Sequence, residues 1–188
     1  DLRRFRFYRL PEETLASERR QLAAAQESGS RRVVGRALGL NGFVHLWRDE
    51  LADAERCFRE GLEESERVGD VEPELIAMNY LALIGRMRGD IAMVRPWAER
   101  TVALAQRTGN RFYHADALGS LGWAALRDGD DATAKACLDE AVAVQGTLPT
   151  PLAFLFVGPC LALAVRRADW ASAIGHARAL THPVQRKL

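Results

Sequence analysis

Residues 121–146 read LGWAALRDGDDATAKACLDEAVAVQG, and this stretch decides the fold. Ala117, Leu118, Leu121, Ala124 and Ala125 recur at helical spacing up to Gly129-Asp130. Ala134, Leu138, Ala141 and Val142 do the same after it. Glycine takes the left-handed conformation that closes a helix, and aspartate accepts from the free N–H groups opening the next. The stretch therefore predicts two antiparallel helices joined by a tight turn.

The pattern recurs at a period of 40 in NGFVHLWRDELADAERCFREGLEESERVGD (41–70) and LALIGRMRGDIAMVRPWAERTVALAQRTGN (81–110). Gly42, Ala82 and Gly122 align, as do Glu50, Asp90 and Asp130; Ala54, Val94 and Ala134; and Gly29, Gly69 and Gly109. A fourth copy, one residue shorter, puts Leu161, Asp169 and Ala173 in those places. The register predicts turns at Asp49-Glu50, Gly89-Asp90, Gly129-Asp130 and Ala168-Asp169. It divides the chain into a partial repeat (1–29) and repeats 30–70, 71–110, 111–148 and 149–188. The partial repeat reads as a helix end over Asp1 to Arg9, a turn at Leu10-Pro11 and a helix from Glu12 to Ser28. A start in mid-repeat, on Asp rather than Met, predicts a piece of a longer protein. With no period-2 alternation, no β-sheet is expected.

The small residues let paired helices approach, while Phe58 and Leu138 fill the space beside them. A larger side chain at Gly122 should overpack. Gly119 is expected to face an open side and to tolerate Ala. Pro73 and Pro151 suit the first turn of a helix. Pro96 should bend or delay its helix, and Gly158-Pro159 should interrupt the last first-of-pair helix and free the Leu155 carbonyl.

Composition narrows the function classes. Hydrophobic residues are 48% and charged residues 27%, the balance of a soluble globular chain. No apolar run is long enough to span a bilayer, and no signal-peptide pattern opens the chain. A net charge of +1 argues against a nucleic-acid binder. Cys57, Cys137 and Cys160, an odd number without C-x-x-C spacing, fit a reducing cytoplasm and small core residues. Lys135 and Lys187 are the only lysines among 26 basic residues, a bias that suggests a GC-rich bacterial genome.

Catalytic signatures are missing. There is no phosphate-binding G-x-x-x-x-G-K-[ST], and Gly119 to Gly122 lies inside a helix. His45, His114, His176 and His182 pair with no His or Cys at metal-ligand spacing. No Ser/His/Asp arrangement stands out. The expectation is no catalytic residue, no metal and no cofactor.

The repeat resembles the tetratricopeptide repeat. Leu118, Leu121-Gly122, Gly129-Asp130, Ala134 and Ala141 match that family's positions in the third full copy, and Leu38, Gly42, Ala54 and Phe58 in the first. The period is 40 rather than 34, His45, Gly85 and Ala125 replace the first-helix aromatic, and the closing Pro is missing. The resemblance implies an all-α, right-handed superhelix of antiparallel helix pairs with a concave groove lined by the first helices. By register, Phe43, Trp47, Asn79, Leu83, Arg86, Trp123 and Arg127 line that groove as ligand-binding residues. Arg and Trp there would hold an acidic or amphipathic peptide. The plainer reading of Arg6, Arg86, Arg127 and Arg166, all near first-helix ends, is that they satisfy the helix dipole and its last carbonyls. Lysines of the family's carboxylate clamp are absent. Long-period arrays of this kind are similar to those of large ATP-binding LuxR-type bacterial regulators. The expectation is thus a cytoplasmic, non-catalytic module binding a protein, a peptide or a small-molecule effector, without membrane or direct nucleic-acid contact. A standalone peptide-binding scaffold, or the accessory domain of a kinase or cyclase, are the alternatives.

Overall fold

The computed structural model describes residues 12–146 and 154–180. The expectations for Asp1 to Arg9, Leu10-Pro11 and Pro151 lie outside them. Among the described residues the chain is all-α, with nine helices: α1 (Glu12–Glu27), α2 (Arg31–Trp47), α3 (Leu51–Val68), α4 (Val71–Arg88), α5 (Ile91–Thr108), α6 (Arg111–Asp128), α7 (Asp131–Gln145), α8 (Phe154–Arg166) and α9 (Trp170–Leu180). The chain divides into two compact units, Asp1–Met87 and Arg88–Leu188. In the first, α2 packs between α1 and α3; in the second, α6 packs on α5, α7 and α8, and α8 on α7 and α9.

All four expected turns are in place, because one residue at each takes the left-handed conformation. It is Gly89 (φ 74) and Gly129 (φ 81) in the middle copies, but Asp49 (φ 66) and Ala168 (φ 54) in the outer ones. The next N–H then reaches back to close the helix: Glu50 to the His45 carbonyl at 3.0 Å, Asp130 to Ala125 at 3.0 Å and Asp169 to Ala164 at 2.9 Å. The same closure follows Gly69 and Gly109. Asp90, Asn110, Asp130 and Asp169 then cap the next helix, each accepting from the backbone N–H three residues on.

Between paired helices, size alternates with the register. A Cβ on Gly42 would stand 3.0 Å from the Phe58 ring, and one on Gly122 would stand 2.7 Å from Leu138. Ala82 with Ala98 holds the same two places in the second copy. In the last copy the pattern inverts, with Leu161 on the first helix and Ala177 on the second. Phe58 is fully buried and stacks on Tyr80 of α4 at 5.2 Å between centroids. Burying such a ring stabilises by roughly 2–3 kcal/mol.

Three expectations are corrected. Pro96 does not delay α5, which runs helically from Ile91; at its sixth position Pro96 removes only the donor that would have met the Ala92 carbonyl. Gly158-Pro159 does not interrupt α8, which is helical from Phe154 to Arg166. Gly119 does not face an open side: a Cβ there would lie 2.6 Å from Phe156 Cβ and 3.3 Å from the Leu155 oxygen of α8. Gly158, at the same register position, has open space, because α8 closes over α6 and no described helix closes over α8 in that place.

Gly119→Ala should therefore destabilise, by about 1–3 kcal/mol as overpacking does, in spite of its better helix propensity. Ala168→Gly should stabilise by about 0.5–1 kcal/mol, since a left-handed alanine is strained. Denaturant midpoints check both: a tolerated Gly119→Ala would mean that α8 is not seated on α6, and an unchanged midpoint in Ala168→Gly would mean that the turn is unstrained.

Candidate functional site

The seven expected groove residues fall in both units, five in the first and two in the second. Phe43 and Trp47 are half-buried on α2, with ring centroids 5.8 Å apart edge to face. Phe43 also meets Tyr80 of α4 at 5.8 Å. Asn79, Leu83 and Arg86, all on α4, are buried in the first unit. In the second unit Trp123 is half-buried, and the exposed Arg127 guanidinium sits 5.9 Å above its ring. That is a cation–π contact, made possible by the four-residue spacing on α6.

The helical period makes an open apolar face on α2. Val33, Leu40 and Trp47 are seven apart and share one side, with Phe43 and Arg36 beside them. Val33 is 47% and Leu40 53% exposed. The opposite side, with Leu38, Gly42 and Leu46, is buried. Val33 and Leu40 were not among the expected site residues. Their signal was the heptad spacing, which ordinary helix patterning hid.

The arginines near first-helix ends do not share one role. Arg166 donates to the Leu126 carbonyl at the end of α6 (2.7 Å) and pairs with Asp131 of α7 at 3.0 Å. It holds the end of a neighbouring helix. Arg127 instead covers a tryptophan. The α2 arginines are latches as well: Arg31 pairs with Glu64 at 2.9 Å, and Arg36 and Arg32 share Asp70 at 3.1 and 3.7 Å.

His45 is the one histidine drawn into the interior of the first unit, 5% exposed. Its Nδ1 lies 2.6 Å from Glu50 Oε2, and Arg48 Nε donates to the other Glu50 oxygen at 2.9 Å. Burial pushes the Glu50 carboxyl up, but the bonds from His45 and Arg48 outweigh it and leave it below the usual glutamate range. This cluster braces the left-handed turn at Asp49. Among the described residues no three His, Cys, Asp or Glu side chains gather as a metal set. Burial raises the Cys57 and Cys137 thiols, and Cys160 to about 11, so none is a ready nucleophile near neutrality. No described helix is long and apolar enough to cross a membrane.

No family model matches the sequence, and no curated protein matches it.

The Glu50 cluster predicts an acid-side loss of stability. A carboxyl lowered on folding contributes in full above its unfolded value, about 4.3, and loses that contribution as pH falls through the folded one. Glu50→Gln should therefore be less stable than the native chain at pH 7, with the gap closing below about pH 4. Denaturant titrations from pH 7 to 3 check it; a gap that stays constant would remove Glu50 as the source.

Proposed function

We propose that the chain is a non-catalytic, tetratricopeptide-type binding module of a bacterial transcriptional regulator or signalling ATPase, working in the cytoplasm. The observation that carries the binding reading is the open face of α2, where Val33, Leu40 and the half-buried Phe43 and Trp47 stand in one stripe. A folded chain with a buried-face alternative does not leave four large apolar side chains along one helix without use for them. Trp123 with Arg127 offers a second aromatic and cationic contact in the other unit. Such side chains anchor amphipathic peptides by burying apolar groups and pairing carboxylates. The buried thiols and the ordinary pairing of His45 and His114 supply no reacting group in support of an enzyme. The regulator assignment rests on the long repeat period and the Arg-rich composition; a phosphate-binding loop upstream and a helix-turn-helix downstream in the parent sequence would support it.

Acidic amphipathic peptides, read by fluorescence anisotropy, test the binding reading. Trp47→Ala should weaken the best binder of the α2 face about 30-fold or more, the equivalent of a tryptophan anchor of about 2 kcal/mol. Glu63→Ala, an exposed change on α3, should leave it unaltered. Affinity unmoved by Trp47→Ala would overturn the reading.

A further inference from the structure

A groove of about 290 Å³ lies between α7, α8 and α9, away from the α2 stripe and within the second unit. Three helix faces converge on it at spacings of three and four residues. Leu138 and Val142 come from α7, Cys160, Leu163 and Ala164 from α8, and Ser172 and His176 from α9. From α9 the groove is met only by the short Ser172 and the polar His176.

The groove is polar at one end. The start of α9 and the end of α8 bring Asp169 and Arg167 there, with Lys135 of α7. Lys135 is held by Asp139, and Asp169 is occupied in capping α9, accepting from the Ser172 N–H at 3.1 Å. The neighbouring Arg166 is committed to Leu126 and Asp131. The Arg167 backbone N–H closes the end of α8 on the Leu163 carbonyl at 3.1 Å, while its guanidinium has no hydrogen bond or ion pair among the described residues. Its register position is engaged in the three described preceding copies. Arg48 binds Glu50, Arg88 reaches Met93 Sδ at 3.9 Å, and Asp128 pairs with Arg95.

We propose that this groove binds a free monocarboxylate with a linear apolar chain, its carboxylate on Arg167 and its chain along Leu138, Leu163, Cys160 and Val142. A guanidinium with no other partner takes a carboxylate bidentately. Leu138, Val142, Cys160, Leu163 and Ala164 offer the tail carbon and sulfur, so it gains by leaving water, while Asp139, Ser172 and His176 add polar edges to the same lining. The volume sits at the small end for ligand sites, which selects a chain of roughly six to ten carbons over a lipid or a peptide. This site is independent of the α2 stripe, and its failure leaves the peptide reading where it stands.

Octanoate is the probe, titrated into the whole chain by calorimetry. Saturable one-to-one binding is expected, weakened at least tenfold in Arg167→Gln and lost in Val142→Trp, which fills the groove from its rim. Arg107→Gln, an exposed change on α5, is the control and should bind normally. Bound octanoate should also slow alkylation of Cys160, on the groove floor, and leave Cys57 unaffected. Octyltrimethylammonium, with the same chain and the opposite charge, should bind at least tenfold more weakly. No saturation up to the solubility limit, equal binding of the cation, or unchanged affinity in Arg167→Gln would each overturn the proposal.

Discussion

The structure depends on one backbone constraint: a residue of positive φ at the short turn between successive helices, at positions 29, 49, 69, 89, 109, 129 and 168. Where only two or three residues separate two helices, the chain must reverse within them. The left-handed residue does this by aiming the following N–H back at a carbonyl of the last turn, as Asp130 does at Ala125. The side chain of that following residue then caps the next helix, so one dipeptide ends one element and begins another. Where Gly is replaced, the geometry persists and the surroundings bear the strain. At Asp49 the neighbouring Glu50 is gripped by His45 and Arg48, which fastens the turn from both sides. At Ala168 the neighbouring Asp169 supplies the cap, and the Arg167 guanidinium makes no such fastening bond.

With the turns set, the pairing of helices becomes a question of volume. Gly42 admits the Phe58 ring and Gly122 admits Leu138, so the two helices of a pair sit at the distance their largest facing residue allows. This level was legible in the sequence, because a period of 40 repeats the small position and the turn together. What the register could not show was the third neighbour. Gly119 and Gly158 hold the same repeat position, yet α8 presses on the first and leaves the second open. A repeat predicts contacts within its own pair; the contact between pairs depends on which copies have a following helix and on what that helix carries. The prolines show a related limit: Pro96 and Pro159 each cost one backbone bond, yet the helix continues through both.

What the sequence made legible was which helix each candidate residue stands on; how far each side chain is exposed was not legible. Phe43, Trp47 and Trp123 are partly exposed, as a ligand contact requires, because large rings on a first helix cannot all enter a core already filled by Phe58 or Leu138. Asn79, Leu83 and Arg86 share their register, but α4 is buried along most of its length, so their side chains face protein. Arginine position says little by itself. Arg127 and Arg166 occupy successive copies of one place, yet one lies on a tryptophan and the other on a helix end. The difference lies in the partner: Trp123 stands four residues before Arg127, whereas Ala162 stands four before Arg166 and leaves it to reach across to α6 and α7.

The energy of folding is gathered between helices, from Gly against Phe or Leu, from the caps, and from latches such as Arg36 on Asp70. A face that meets no neighbouring helix, such as the α2 side carrying Val33 and Leu40, carries none of that duty and can change at little cost to the fold. The two open regions show how such change arises. On α2 the register keeps its small residues inward, and large apolar ones accumulate on the free side at Val33, Leu40 and Trp47. In the last copy the register carries Leu161 on the first helix and Ala177 on the second, and a groove lies beside Leu138 and Leu163. The pair totals differ from copy to copy, Gly with Phe or Leu, Ala with Ala, and Leu with Ala, so each pair fills its seam with its own set of side chains while the period changes by a single residue.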